Sequence, residues 1–354
     1  MHEPKLRVAI AGATGAVGQE LLRLLESRDV PIELTGLAAS PSSAGRSVPF
    51  RGGGLKVESL DDFDFDATDI AFFSAGSSVS RDHATRAARQ GALVIDNTNA
   101  FRMDADTPLI VPQVNAHHLG MRPASGLIAN PNCSTIPVVR LLEPVQRVNP
   151  LRSVLACTYQ AASGAGLTGL QELDQSVREV LDQAPGRPIS NRFVAPLGFN
   201  VVPSIDTHLP DGFTLEEQKL RQEARKILGL PRLHVSATCV RVPVRNCHSA
   251  AVYVQCEHPI DSATLKRLWR DSPEVRVYEG DKPGDFPTPR EVGASNLVHV
   301  GRIRCDPEAS NAFWFWVVSD NLRIGAALNA VQILETLVRE RPFELRNARA
   351  VQAA

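Results

Sequence analysis

The chain has 354 residues, 43% hydrophobic and 22% charged, with Lys+Arg 38 against Asp+Glu 39 for a formal charge of −1. That usage excludes a disordered, collagen-like or coiled-coil protein and gives no bulk basicity for nucleic acid or a membrane surface. Its length allows two or three domains at roughly 100–200 residues each.

In chain order, the apolar run Leu6–Ala11 predicts a buried strand rather than a signal peptide. Gly12-Ala13-Thr14-Gly15-Ala16-Val17-Gly18 follows, then a helical pattern through Leu21, Leu22, Leu24 and Leu25. A strand is predicted at Ile32–Ala39, a Ser/Gly/Pro-rich loop at Ser40–Gly54, a strand at Asp69–Ser74, a helix at Arg81–Gln90 and a strand at Leu93–Asp96. This alternation is the signature of a doubly wound, Rossmann-type parallel sheet. Beyond about residue 133, strands are predicted at Ser153–Gln160, Cys239–Val244, Ala250–Gln255, Val298–Arg304 and Phe313–Val318. Helices are predicted at Gly169–Asp182 and Leu215–Leu228. These describe a second, α+β domain. The amphipathic stretch Ala326–Arg339 is expected to pack back on the first domain. The expected division is 1–132 plus about 320–354 for nucleotide binding and 133–319 for the second domain.

The Gly12/Gly15/Gly18 loop between strand and helix points to dinucleotide binding. Glycine lets backbone N–H groups approach a pyrophosphate, and the helix end favours negative charge. The second strand ends Leu37-Ala38-Ala39-Ser40 without the acid that holds NAD ribose hydroxyls; Ser42, Ser43 and Arg46 follow, which favours NADP. No run approaches the roughly 20 apolar residues of a membrane span, so neither membrane nor nucleic acid is expected as a partner. The six cysteines (Cys133, Cys157, Cys239, Cys247, Cys256, Cys305) form no CxxC pair. Free thiols in a cytoplasmic setting are expected, and no metal site.

The segment Gly126–Thr135 carries the sharpest chemical signal. A short apolar strand runs into a Pro-bearing turn, and Cys133 falls where a helix begins, so N–H groups and the dipole favour a thiolate and a developing oxyanion. Cys157, Cys239, Cys256 and Cys305 read as apolar core fillers. His248, in a polar turn between two predicted strands, is the candidate proton carrier; His117 and His118 read as surface residues. Thr214-Leu215-Glu216-Glu217 is a capping box, and Glu216 and Lys219 share a helix face. On sequence alone that pair reads as an exposed ion pair worth less than about 1 kcal/mol.

Several segments together resemble the bacterial type of the aspartate-β-semialdehyde dehydrogenase family: GATGAVGQELL near Gly12, DNTNAFR at Asp96–Arg102, VPQVN at Val111–Asn115, IANPNCSTI at Ile128–Ile136, TYQAASGAG at Thr158–Gly166, RVPV…HS at Arg241–Ser249, VGRIR at Val300–Arg304 and the motif around Asp320–Ile333. The resemblance implies that Cys133 is the nucleophile, His248 the general acid/base, and that Asn132 positions the reacting carbonyl. Gln160 would orient the intermediate, Arg241 clamp the substrate carboxylate, Glu216 hold its ammonium, and Arg102 and Lys219 bind phosphate. NADP would contact Gly12, Thr14, Gly15, Ala16, Val17, Ser42, Ser43, Ser163, Gly164 and Asn321. The implied reaction is reduction of 4-phospho-L-aspartate to L-aspartate 4-semialdehyde and phosphate, serving lysine, threonine, methionine and diaminopimelate synthesis. The implied assembly is a homodimer, in some members a tetramer, joined through the second domain.

Three positions depart from the family pattern: Ser42 stands for the Arg of RSAG, Cys247 for a Gly or Ala before the histidine, and Ile324 for the Lys of DNLRKGAA. Two rivals follow: an N-acetylglutamyl-phosphate reductase, against which the Gln160 and Arg241 motifs speak, and a non-catalytic nucleotide-binding paralogue, against which the retained Cys133, His248 and Lys219 speak.

Overall fold

The computed structural model describes residues 5–182 and 190–340. Its elements in order are β1 (Leu6–Ala11), α1 (Ala16–Ser27), β2 (Ile32–Ala39), β3 (Ser47–Phe50), β4 (Gly53–Ser59), β5 (Ile70–Phe73), α2 (Ser77–Arg89), β6 (Leu93–Asp96), the single turn α3 (Pro112–Asn115), β7 (Leu127–Ala129), α4 (Thr135–Val148) and β8 (Leu151–Gln160). Then come α5 (Gly166–Leu181), α6 (Leu215–Leu228), β9 (His234–Arg241), β10 (His248–Cys256), α7 (Ser262–Arg270), β11 (Val275–Val277), the turn α8 (Pro289–Val292), β12 (Val298–Cys305), β13 (Ala312–Ser319) and α9 (Leu328–Glu340). The chain divides into two compact units. One runs through Pro131 and resumes at Ala326; the other is Asn132–Gly325.

The first unit is built on a sheet ordered β3-β4-β2-β1-β5-β6-β7, parallel except for the β3–β4 pair. Val8, Ile10, Ile70 and Phe72 are fully buried, as the continuous apolar strands of a parallel sheet require. Leu21, Leu22, Leu24 and Leu25 turn one face of α1 inward. The C-terminal helix α9 lies in this unit, and Arg28, at the end of α1, pairs with its Glu335 at 2.6 Å. The Ser40–Gly54 segment, expected to be loop, is largely a hairpin. Arg51 and Gly52, both at positive φ, turn β3 into β4. Pro49, Gly53 and Gly54 disguise those strands, because both residue types score poorly for strand. Helix α2 starts four residues before the expected Arg81, after Gly76 at φ 96.

The second unit carries a six-stranded sheet ordered β11-β12-β13-β10-β8-β9. Helix α7 seals its core: Trp269 is fully buried against Phe313 and Phe315, and its indole N–H donates to the Leu141 carbonyl at 2.8 Å. From Val154 on, strand β8 alternates between buried and outward residues, as a sheet packed on one face should. Cys157 is exposed on that outward face, so the core-filler reading fails for it. Strand β9 lies at His234–Arg241 rather than Cys239–Val244, because Pro243 cannot donate to a ladder and the chain turns there.

Candidate active site

The second unit gathers seven of the singled-out residues into one network. Cys133 sits two residues ahead of α4, in the turn where Thr135 and Ile136 N–H both donate to the Asn132 carbonyl. The Asn132 amide Nδ2 donates to Glu216 Oε1 at 2.9 Å, and Gln160 Nε2 donates to the same oxygen at 2.9 Å. Glu216 thereby ties the turn that holds Cys133 to the end of β8. One residue on, the Ala161 carbonyl accepts Arg241 Nη1 at 2.7 Å, and the Ala161 N–H donates to His248 Nδ1 at 3.0 Å. Gly164 lies against both: a Cβ there would stand 3.0 Å from Arg241 Nη1 and 3.1 Å from His248 Nε2. On another side, a Cβ at Gly325 would meet Cys133 Cα at 2.9 Å, so glycine is required for the close approach.

Glu216 and Lys219 are no surface decoration. The capping box places them: Thr214 accepts Glu217 N–H, and Glu217 Oε2 accepts Thr214 N–H at 2.7 Å, starting α6 with its second residue turned inward. Burial opposes the Glu216 charge. Lys219 at 3.2 Å and the bonds from Gln160 and Asn132 more than offset it and draw the carboxyl down to about 2. Burial likewise works against the Lys219 ammonium, but Glu216 and Asp206 hold it above its ordinary value. Asp206, which reaches Lys219 at 2.5 Å, was not singled out from sequence; it sits in an irregular loop with φ 71, where no pattern marks it.

His248 is the first residue of β10, not part of the turn before it, and is 3% exposed. Burial and the neighbouring Arg241 push it down to about 3, so the ring is neutral. Because Nδ1 accepts a backbone N–H, the neutral ring carries its proton on Nε2. Among the described residues Nε2 has no partner. Arg241 also stacks on Phe193, 5.7 Å to the ring centroid, and forms no ion pair among the described residues. Burial lowers it, against the pull of Glu216 and Cys133.

Ser163 and Asn321 bond to one another at 2.9 Å, and Asn321 Oδ1 accepts the Cys247 N–H at 3.0 Å. Their visible work is to brace the turn that leads into His248. Cys247 itself is at φ 71 in an apolar cluster with Val292 and Val318, and burial pushes its thiol up to about 12. Ile324 is also buried, which suits an apolar side chain.

The first unit holds the remaining candidates. Gly12 has φ 87, and a Cβ there would stand 2.6 Å from the Ser74 carbonyl; a Cβ at Gly18 would overlap the Gly12 carbonyl and lie 2.8 Å from Ala13 Cα. Helix α1 begins on Gly15 with no side-chain cap and no acid in its first turn. Its leading N–H groups around Thr14, Ala16 and Val17 suit a ligand's phosphate. Strand β2 ends at Ala39; beyond it Ser42 is exposed, Ser43 is buried with its hydroxyl 3.5 Å from that of Thr14, and Arg46 is exposed. These residues fit an adenine dinucleotide. The Arg102 guanidinium is buried and donates to the carbonyls of Asn97 and Asn130, each at 2.9 Å. His117 and His118 are exposed. Among the described residues there is no His/Cys/Asp/Glu cluster suited to a metal and no helix long and apolar enough to cross a membrane.

The family model for the semialdehyde dehydrogenase NAD binding domain matches residues 7–121, and that for the semialdehyde dehydrogenase dimerisation domain matches residues 142–324. The aspartate-semialdehyde dehydrogenase of Bacillus subtilis is 43% identical over 340 residues, covering 94% of this chain and 97% of that protein. The aspartate-semialdehyde dehydrogenase 2 of Vibrio cholerae is 40% identical, covering 95% and 98%. The crystal structure of aspartate semialdehyde dehydrogenase II from Vibrio cholerae complexed with ASA superposes with a TM-score of 0.92 at 39% identity, covering 96% of this chain and 100% of that one.

Proposed function

We propose, since the chain belongs to the aspartate-semialdehyde dehydrogenase family, that it reduces 4-phospho-L-aspartate to L-aspartate 4-semialdehyde with release of phosphate, in synthesis of the aspartate-derived amino acids. The observation that carries this reading is the shared Glu216 oxygen, which bonds both Asn132 and Gln160 at 2.9 Å and so sets the Cys133 turn beside the strand end that holds Arg241 and His248.

Cys133 Sγ attacks the acyl carbon as a thiolate, the C–O bond to phosphate breaks, and a thioester forms. The second amide hydrogen of Asn132 Nδ2, beside the one given to Glu216, would donate to the oxygen that gains charge. His248 serves this oxygen: with Nδ1 tied, its neutral ring donates a hydrogen bond from Nε2–H as the tetrahedral adduct forms and keeps its proton. The chemistry that reduced NADP would supply, held at the Gly12–Gly18 loop, is hydride for the thioester carbon. The hemithioacetal oxyanion on Cys133 then re-forms its carbonyl as the C–S bond breaks, which frees the aldehyde and restores the thiolate. Arg241 keeps donors for the substrate α-carboxylate, a role that fits its planar fork. Glu216, ionised and buried, holds the α-ammonium, and Gln160 orients the acyl chain between them. Lys219 and Arg102 receive the phosphate, with Lys219 leaving Asp206 to do so.

The absence of a carboxylate at the end of β2 supports NADP over NAD, with Arg46 in place of the arginine missing at 42. Ser163, Gly164 and Asn321 would hold the nicotinamide end of the bound cofactor. A second copy of the chain covers the outward face of the second unit's sheet, where Leu155, Tyr159, Tyr253, Trp314 and Trp316 form a partly exposed apolar surface with paired rings. All six cysteines are free, which supports a reducing, cytoplasmic setting.

The test is a steady-state assay with L-aspartate 4-semialdehyde, with and without phosphate, NADP against NAD. Phosphate-dependent NADP reduction is expected. Faster turnover of N-acetylglutamate semialdehyde would favour the related reductase. Binding of NADPH without turnover would leave a non-catalytic nucleotide-binding protein.

A further inference from the structure

We infer that Glu223 is a positioning residue for the Cys133 nucleophile. It lies on α6 seven residues after Glu216 and four after Lys219, so all three share one face of that helix. Its carboxylate is 1% exposed, and Oε2 accepts the Asn132 N–H at 2.6 Å. Its tie to the site runs through the Asn132 N–H, so it acts through the residue before the cysteine.

Asn132 has four polar groups, and each is occupied. The N–H goes to Glu223. Nδ2 goes to Glu216 at 2.9 Å, Oδ1 accepts Ser134 N–H at 2.8 Å, and the carbonyl accepts Thr135 N–H at 3.0 Å. Pro131 precedes it and restricts φ. Two of the four ties therefore run to α6, 84 and 91 residues away, and they grip opposite ends of the residue: side chain and backbone. With only the Glu216 tie, Asn132 could rotate about its side chain and carry Cys133 with it. The second tie removes that freedom. From the other side, the missing Cβ at Gly325 lets the backbone close on Cys133 Cα and its carbonyl. The nucleophile is thus held from both sides by groups that do no chemistry. A charged acceptor suits this work, because its bond to an N–H is shorter and stronger than a neutral one.

This inference rests on the proposed reaction for its kinetic readout and stands apart from it in its chemical one. The test uses the full-length protein with Glu223→Gln, Glu223→Asp and Glu223→Leu. The readouts are kcat, KM for L-aspartate 4-semialdehyde, thermal midpoint, and the second-order rate of Cys133 alkylation by iodoacetamide followed by peptide mass spectrometry. Glu223→Asp retains the charge and loses the reach. It should lower kcat on the order of 10-fold or more with KM within about 2-fold, since a 1 Å misplacement can cost about 10²-fold. Its Cys133 alkylation rate should change several-fold. Glu223→Gln keeps an acceptor oxygen at the right distance and should restore kcat to within about 3-fold and the wild-type alkylation rate. A merely structural role predicts lower thermal midpoints with kcat and alkylation unchanged in the folded variants, and that result overturns the inference, as does a change confined to KM. If Glu223→Leu does not fold, the Asp and Gln pair decides. If the wild-type enzyme fails to turn over aspartate semialdehyde, the proposed reaction falls while the alkylation series still decides the role of Glu223.

Discussion

The two units build their candidate sites from opposite materials. In the first, side chains have been taken away: Gly12 and Gly18 clear space, and α1 starts on an uncapped glycine with no acid in its first turn. In the second, side chains are added and interlocked: α6 starts on a reciprocal Thr214–Glu217 cap and carries Glu216, Lys219 and Glu223 inward. An open helix end offers its N–H groups to a ligand, whereas a closed one spends them on the fold and frees its side chains for a site. Substitutions in the loop and first turn of α1 should therefore change nucleotide affinity and selectivity, and substitutions on the inward face of α6 should change chemistry.

The largest break in that comparison is Cys133→Ala. Removal of the sulfur should abolish turnover in the steady-state assay while NADPH binding, read by fluorescence titration, stays within about 2-fold, because no nucleophile remains to form the thioester. Next is His248→Ala, expected to lower kcat by about 10²–10³-fold, the usual cost of removing one oxyanion donor. Because Nδ1 accepts Ala161 N–H, the useful group is Nε2–H. Gln places an N–H near that position and should recover more of kcat than Asn does; equal losses in both would defeat the donor assignment. In the first unit, Gly18→Ala drives a methyl into the Gly12 carbonyl. Overpacking of that kind costs about 1–3 kcal/mol, and NADP affinity should fall with it; an unchanged thermal midpoint and dissociation constant would refute the cradle. Smaller again is Ser42→Arg. A guanidinium beside the ribose adds a charge-assisted bond worth about 1.5–3 kcal/mol, so the NADP-to-NAD ratio of kcat/KM should rise by roughly 10-fold or more.

Much of this was legible because periodicity speaks for strands and helices whose burial follows a simple rule. β1, β2, β6 and α6 have the bounds their apolar patterns gave, since parallel core strands and a capped amphipathic helix carry their signals locally. β3 and β4 were hidden by Pro49, Gly53 and Gly54, whose pairing depends on the neighbouring β2 rather than on their own preference. In the site, Cys133, Gln160, Arg241 and His248 each stood in a marked segment, but burial was not legible. Glu216 and Lys219 read as surface on a helix that turns out to face inward. Glu223 and Asp206 carried no local mark at all, because what defines them is a bond to a residue 91 or 13 positions away. Cys157 misled in the other direction, since an apolar strand was taken for core on both faces.

The smallest effect near neutrality is on stability, and it separates two groups of the second unit. His248 is held down to about 3 by burial and Arg241, from an ordinary 6.5. Below pH 6.5 the unfolded chain binds a proton that the folded one refuses, so stability is full above 6.5 and is lost as pH falls toward 3. Glu216 behaves alike in sign but in a lower window. Against its own burial, Lys219 and the two amides hold it at about 2 instead of 4.5, so its contribution is present above 4.5 and drains as pH falls to 2. Between pH 6.5 and 4.5 the imidazole therefore acts without the carboxylate. Urea midpoints measured at pH 7, 5.5 and 4.5 should decline in the wild type, and the decline should flatten in His248→Gln, which cannot take up the proton. Below pH 4.5 both proteins should lose stability as Glu216 of the unfolded chain takes up a proton, and the wild type should keep the steeper loss down to about pH 3. Equal slopes in the upper window would mean that the folded ring takes up the proton as readily as the unfolded one, and with that Nδ1 as the acceptor of Ala161 N–H would be lost.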